Sequence, residues 1–423
     1  MAIHKELSRT RIGVQSSLDA AASNMIDIEV VGDANVLGES RTNTAPNNAQ
    51  RRRRRDFTTP IHLQKSGSPV KLTAYLKGLA AVLGAGASPV AFSNASALSH
   101  QVLYRAAFGA ELTPAAGSTV ASSSGTPVDH IVVASGHGSR FVVGQIIAIE
   151  RSGAAPWVRR VTAISTDTLT ISPPLGSGES PDTSAVVRNL YQYYPGETDS
   201  TVFTVEHAYR ETGTPITQMR ALAVHGQAKI TTEINAVGQV EFSGESVSHT
   251  TPGDLSLSTN PVADDMGSPL VWQPVLWWTA FGAAAPSVAD LSKVAFTVPR
   301  KWQKVPGAVL EGVGAVHEVA GRGEPIELEC EGLFDDEAWS EFASGTERAL
   351  VAYTVVGAGS DARIAGFWCP RVQVVESPKI TYMDALVSAS FKVRALMATD
   401  ISGATPSLST AEIRTANIIW FVG

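Results

Sequence analysis

The sequence predicts a mainly β protein with a few short helices. Three observations carry this. Val, Ile and Thr runs are punctuated along the chain by Gly and Pro, of which there are 36 and 23. Two long hairpins show period-2 alternation. Helical periodicity is confined to a few short windows.

The helical windows come first. Leu72-Thr-Ala-Tyr-Leu-Lys-Gly-Leu-Ala-Ala-Val-Leu-Gly84 is rich in helix formers and closes on Gly. Asp335-Asp-Glu-Ala-Trp-Ser-Glu-Phe-Ala343 puts acids on a first turn, where the helix dipole favours them. Ser16 to Asn24 is a weaker third window. In the first hairpin, Leu222, Val224, Ala228 and Ile230 share one face, and His225, Gln227 and Lys229 share the other. After a turn at Asn235-Ala-Val-Gly238, Val240 and Phe242 oppose Gln239, Glu241, Ser243 and Glu245. That is a sheet with one dry and one wet face. The second hairpin spans about Ile364 to Arg394. Its return strand alternates Val387, Ala389, Phe391 and Val393 with Ser388, Ser390, Lys392 and Arg394.

The order strand, loop, strand, helix, strand, long hairpin occurs twice. Pro60-Ile-His-Leu63 and Pro325-Ile-Glu-Leu328 stand at matching points, as do the strands Val202–Val205 and Leu350–Tyr353. This reads as an internal duplication. The expected division is 1–127 with 196–250 as the first module, 128–195 as a small inserted β-barrel-like domain, 251–397 as the second module, and 398–423 as a C-terminal arm. The insert is expected to be displayed outward, where it disturbs no core.

Composition narrows the function. With 33 Lys+Arg against 40 Asp+Glu, the chain is net negative, which disfavours a dedicated nucleic-acid binder. Only 17% of residues are charged, against about 25% in ordinary domains, which suggests surface hidden against further copies of the chain. Met1-Ala-Ile-His-Lys-Glu-Leu-Ser lacks the apolar core of a secretory signal. No apolar window approaches the ~20 residues that span a bilayer, so no membrane insertion is expected. Cys330 and Cys369 read as small buried hydrophobes.

No constellation points to catalysis, a metal or a cofactor. His130 and His137 flank a Gly-rich turn that reads as a loop. Asp264-Asp265 is a weak cation candidate. Gly84-Ala-Gly86 and Gly357-Ala-Gly359 lack the rest of a nucleotide loop. Glu327, Glu329 and Glu331 alternate with Leu328 and Cys330, which makes one strand face a row of carboxylates. Paired catalytic carboxylates sit in pockets, whereas a regular row lines a surface or a channel. Arg51, Arg52, Arg53, Arg54 and Arg55 form a basic run that brings the first 60 residues near balance, with 9 Lys+Arg against 7 Asp+Glu. The remainder of the chain is acidic, so this run is expected to dock on a neighbouring copy, with phosphate binding and a solvated loop as the alternatives. Ala411 to Gly423 ends on apolar residues, and Trp420 and Phe421 are expected at a subunit contact.

The lead Arg9-Thr-Arg-Ile-Gly-Val-Gln-Ser-Ser-Leu-Asp-Ala-Ala, the Pro60 strand, the hairpin 222–248 and the unit Phe367-Trp-Cys-Pro-Arg-Val through Ile380-Thr-Tyr-Met-Asp-Ala-Leu-Val-Ser-Ala-Ser-Phe-Lys-Val-Arg-Ala395 resemble the major tail tube proteins of long-tailed, siphovirus-like bacteriophages. The resemblance covers most of the chain outside 128–195. It implies a non-enzymatic virion protein of the tail, assembled in the host cytoplasm. Its rings stack into a hollow tube for genome ejection. It implies two tube modules per chain, each a β-sandwich or barrel lending a hairpin to an inner β-barrel, with three chains favoured over six in a pseudo-sixfold ring. The implied partners are the chain itself, a tape-measure protein, a tail terminator, tail-tip proteins and passing DNA, with no cofactor. Lys229, Glu241, Glu245, Ser388, Ser390 and Lys392 become candidate lumen residues. The competing expectation is a tail-tip, fibre or baseplate protein that recognises a host surface through the insert. A hydrolase is a distant third.

Overall fold

The computed structural model describes residues 9–22, 25–28, 30–31, 40–44, 62–66, 69–78, 99–112, 115–196, 202–211, 214–250, 269–280, 291–310, 313–318, 324–333, 340, 342–359, 362–383, 386–397 and 413–423. Strands dominate, as the alternation and turn residues predict.

Period-2 patterning places most of them in one seventeen-stranded sheet. The long strand Thr214–Glu233 is its hub. One edge pairs with Gln239–Glu245, which pairs in turn with Pro69–Tyr75. On the other side it meets Leu291–Thr297, followed by Glu327–Leu333, Leu386–Ala395 and Lys379–Met383. Its first part pairs with Phe203–Glu211, which carries Arg9–Val14. The strand Arg363–Val374 touches Leu386–Ala395 only at its end and then turns into a second layer. There it pairs with Glu347–Val356 on one side and Ile419–Val422 on the other. Beyond Ile419–Val422 lie Tyr191–Pro195 and Gly109–Leu112.

The layers enclose one large core, in which Leu72, Val224, Ile230, Phe242, Phe296, Leu328, Phe367 and Trp420 meet the helix Ser99–Phe108. Gly109, at φ +94°, follows that helix directly, in backbone that favours glycine. Cys330 and Cys369 are buried and unpaired in the same core, and burial raises both thiols.

Several expectations change. The window Leu72–Gly84 is not helical where it is described. Pro69–Tyr75 is a strand, because Val70, Leu72, Ala74 and Leu76 point inward at period 2. The described helix of that region is Ser99–Phe108, which the sequence reading missed. Ser16–Ala20 is a chain of bends. There the Gln15 side chain donates to the carbonyls of Ser17, Leu18 and Ala20, replacing the bonds a helix would make. In the 335–343 window, only Ser340, Phe342 and Ala343 are described, and they are helical. The second hairpin is shorter than 364–394. Lys379–Met383 pairs with Leu386–Ala395, while Ile364–Trp368 belongs to the other layer.

A closed six-stranded barrel runs from Ser118 to Asn189, in the order Ala154–Ser165, Thr168–Ser172, Val128–Val133, Ser118–Gly125, Val186–Asn189 and Ile146–Arg151. It begins before residue 128 and ends before Tyr191–Pro195, which belongs to the large sheet. Val120, Ile131, Ile147, Ile149, Val161 and Leu169 fill its interior. Its other side is not displayed freely. Ile146, Ala148 and Val158 join Trp277, Tyr353, Trp368, Ile419 and Phe421 in a second apolar core. Arg160 is buried there and donates to the carbonyls of Gly144 (3.1 Å) and Arg414 (2.9 Å), and burial lowers its guanidinium to about 10. Arg188 donates to the Gly359 carbonyl, and the Arg159 guanidinium lies over Trp277. The body therefore tolerates the barrel by packing against it.

Trp420 and Phe421 are likewise buried inside their own chain, which corrects the expected subunit contact. Ile419–Val422 is a strand between Tyr191–Pro195 and Arg363–Val374. Trp420→Ala should cost ~3–5 kcal/mol, read as a lowered denaturant midpoint. A loss below about 1 kcal/mol would show that the strand is dispensable.

Candidate functional site

The candidate site is the polar face of the hub sheet. Directly paired residues of an antiparallel sheet point to the same side, so register carries a face from strand to strand. Starting at Thr73, register pairs it with Glu241, Glu241 with Lys229, and Lys229 with Thr297. On the next strands Ala295 pairs with Glu329, and Glu329 with Lys392. Adjacent rows add Lys293, Glu331 and Ser390, then Glu327 and Arg394. Ser388 pairs with Leu333 and Thr381 at the end of its strand. Candidate lumen residues from both hairpins and the acidic stripe thus lie on one continuous surface. On the opposite side, Leu72, Phe242, Ile230, Phe296, Leu328 and Val393 are buried.

The stripe Glu327, Glu329, Glu331 is not a bare row of carboxylates. Glu327 accepts from Arg394 at 2.8 Å, and Lys229 reaches Glu329 at 3.8 Å across the intervening strand. Lys293 lies 3.5 Å from Glu331. Lys392 donates to Glu376 at 3.0 Å, which raises the lysine above its ordinary range. A shallow depression of about 310 Å³ lies among Gln227, Lys229, Thr297, Glu327, Glu329 and Lys392. Both signs are interleaved around it. The sequence reading missed Lys293 and Thr297, because the strand Leu291–Thr297 buries Ala295 beside them and so blurs the alternation.

Glu245 sits apart at the end of the face. Trp302–Leu310 and Val313–Glu318 form a separate two-stranded ribbon. Lys304 of this ribbon reaches Glu245 at 2.9 Å, and His225 lies at 3.3 Å. These contacts, His225 first, hold the Glu245 carboxyl down to about 2. The Trp302 ring packs on His225, and its indole N–H donates to the Gly226 carbonyl at 3.2 Å. Gly226 and Gly244 face each other here, and a Cβ on either would collide with the partner backbone.

The other candidates are structural or undescribed. Asp167 accepts from the N–H groups of Gly136 (3.0 Å) and Gly138 (2.9 Å), which closes the Gly-rich turn from within and holds its carboxyl below the usual range. His137 bonds to Ser118 and His130 to Asp129. Gly357 and Gly359 are turn residues with positive φ. Among the described residues, no three His, Cys, Asp or Glu converge as a metal site. Arg51 to Arg55, Gly84-Ala-Gly86, Asp264-Asp265 and Asp335 to Glu337 lie outside the described residues. No helix is long and apolar enough to cross a membrane among the described residues. No protein-family model matches the chain, and a search of the curated proteins finds no match either.

What this face can do is present a wide, hydrated, charge-mixed surface on a rigid backing.

The lowered carboxyl of Glu245 gives a pH prediction. Its folded value lies below the ordinary 4.5, so its contribution is present above about pH 4.5 and lost as pH falls toward 2. Urea midpoints should therefore fall more for the wild type than for Glu245→Gln between about pH 5 and pH 2.5. Identical pH dependence would show that the Lys304 and His225 contacts contribute nothing.

Proposed function

We propose that this chain is a structural subunit that polymerises into the hollow tail tube of a long-tailed bacteriophage. The observation that carries the proposal is the single polar face shared by the hairpins of the two halves. The sheet bearing it has two ends. Among the described residues, Lys379–Met383 pairs only with Leu386–Ala395. At the other end, Pro69–Leu72 pairs only with Gln239–Glu245. Open strand edges invite pairing. Joining one copy's edge to the next copy's opposite edge closes a barrel with the polar face inside and no edge left.

Lys229, Glu241, Ser388, Ser390 and Lys392 would then line the lumen with Glu327, Glu329 and Glu331. Interleaved charge suits a conduit. A uniformly basic wall would hold DNA phosphates, and each carboxylate here offsets a nearby cation. Phosphates would then pass without exchanging their condensed counterions for protein cations. The two hairpins would be the lumen elements of two duplicated modules, so three chains complete a pseudo-sixfold ring. The barrel Ser118–Asn189 is an insert between Gly109–Leu112 and Tyr191–Pro195, which pair directly with each other. It would sit on the tube's outer side. Tape-measure, terminator and tip proteins are the partners this role requires.

Negative-stain microscopy of the concentrated protein tests the proposal. Rings of constant diameter, and tubes built from them, are expected. A persistent monomer that binds host cells would overturn it in favour of a tip or fibre protein. Deleting the barrel is a poor test, because it would uncover Trp277, Trp368 and Phe421.

A further inference from the structure

His225 is buried where three parts of the fold meet. The hub strand changes partners beside it. Residues 220–222 pair with Ser248–Thr250, and residues 225–231 pair with Gln239–Glu245. Between these runs Ala223 takes φ +50°, in the left-handed region that a Cβ disfavours. Such strain persists only where the surroundings over-determine it. Here the Gln15 side-chain oxygen accepts from the Ala223 N–H, and the Ala223 carbonyl bonds to His225 Nδ1 at 2.9 Å.

The other ring nitrogen, Nε2, lies 3.3 Å from Glu245 Oε1. A carbonyl and an ionised carboxylate only accept hydrogen bonds. Both ring nitrogens therefore carry hydrogen, and the ring that serves both partners is the imidazolium. Its centroid lies 5.2 Å from that of Trp302 in the ribbon, and the Arg300 guanidinium lies 4.9 Å from the same indole. Aromatic faces attract cations. The other charged groups here are few. Lys304 reaches Glu245 at 2.9 Å, and Ala223, Val247 and Val316 pack as an apolar cluster with Trp302. On the ribbon's second strand Val316 pairs with Lys304, Glu318 with Trp302, and the exposed His317 with Gln303.

We propose that His225 is a proton-dependent latch. As the imidazolium it ties the kink at Ala223, the Glu245 carboxylate and the base of the ribbon together. A neutral imidazole has one N–H. It can serve the Ala223 carbonyl or Glu245, and the other acceptor then loses its donor. With Nδ1 donating, the Nε2 lone pair faces a carboxylate. Trp302 loses one of its two cations as well. Histidine is the side chain whose charge ordinarily changes between about pH 5 and pH 8. The fold holds the protonated form, so the His225 contacts are whole in mild acid and are lost as pH rises and the ring gives up a proton. That sign is opposite to the contribution of Glu245, which is lost as pH falls toward 2. The latch closes within one chain and does not depend on a tube.

Hydrogen–deuterium exchange of the full chain, read by mass spectrometry and corrected for the intrinsic effect of pH, tests it. Amides of residues 221–226 and 302–318 should lose about tenfold in protection between about pH 6 and pH 9, the size of one unit of proton linkage. Amides of Ile146–Arg151 in the barrel should keep theirs. Exchange at the ring C2 position of His225 follows its titration without any substitution, and it should change over the same pH interval. In His225→Gln, which keeps one donor and does not titrate, ribbon protection should be lower and alike at both pH values. In Lys304→Met the pH step should remain. No loss at the ribbon, or an equal loss in the barrel, would overturn the latch. So would a ring that titrates outside the interval, a step that survives His225→Gln, or a step that vanishes in Lys304→Met.

Discussion

The strand Ile419–Val422 is the contact on which the rest depends. Its two faces alternate between two cores. Ile418, Trp420 and Val422 enter the large core with the helix Ser99–Phe108, and Ile419 and Phe421 enter the core beneath the barrel. Its backbone joins Tyr191–Pro195, from before the hub hairpin, to Arg363–Val374, from the far half of the chain. Four residues thus close contacts that span most of the sequence. Such non-local pairing costs loop entropy before it returns any burial. The strand can be held only by being apolar on both sides, and Ile-Trp-Phe-Val is. The barrel is held through the same strand, so its orientation is fixed by the main core rather than by a flexible stem.

That rigidity makes the polar face usable. A wet face keeps its register only when a dry face on the same strands is locked, because a one-residue slip would exchange them. The row Thr73, Glu241, Lys229, Thr297 is backed by Leu72, Phe242, Ile230 and Phe296, all buried. Ion pairs on such a face contribute little stability, since exposed pairs are worth about 0–1 kcal/mol each. What they set is the pattern of potential across the face. Carboxylates without Lys229, Lys293 and Arg394 would repel phosphate, and the cations alone would bind it.

Much of the fold was legible because alternation is a strong signal where one face is wet. The first hairpin and its turn at Asn235–Gly238 were readable for this reason, and Asn235 takes the left-handed conformation such a turn asks for. The second hairpin's return strand was readable too. Legibility failed where composition masked the alternation, and where both faces are dry. Leu72-Thr-Ala-Tyr-Leu looks helical by composition, yet partners far away in sequence pull Leu72 and Ala74 inward and make it a strand. Ile146-Ile-Ala-Ile149 feeds the barrel interior with one parity and the body with the other, so nothing local marked the barrel as docked. At the site, single strands showed their own faces. Only register across strands could show that Lys229 and Glu329 share one, and register does not lie in any one stretch of sequence.

The scarcity of charge does not by itself point to a subunit contact. It suggested surface hidden between copies, with Trp420 and Phe421 as the hidden residues. Those side chains are buried within the chain, and so is the apolar underside of the barrel. Two cores share the doubly buried strand Ile419–Val422, so those apolar side chains need no neighbouring copy to cover them. Low charge is therefore no argument for assembly. The proposal of assembly rests instead on the polar face and on strand edges that lack a full partner among the described residues: Lys379–Met383 at one end, and Pro69–Leu72 at the other, where Val30 and Val31 reach only Ala74 and Thr73.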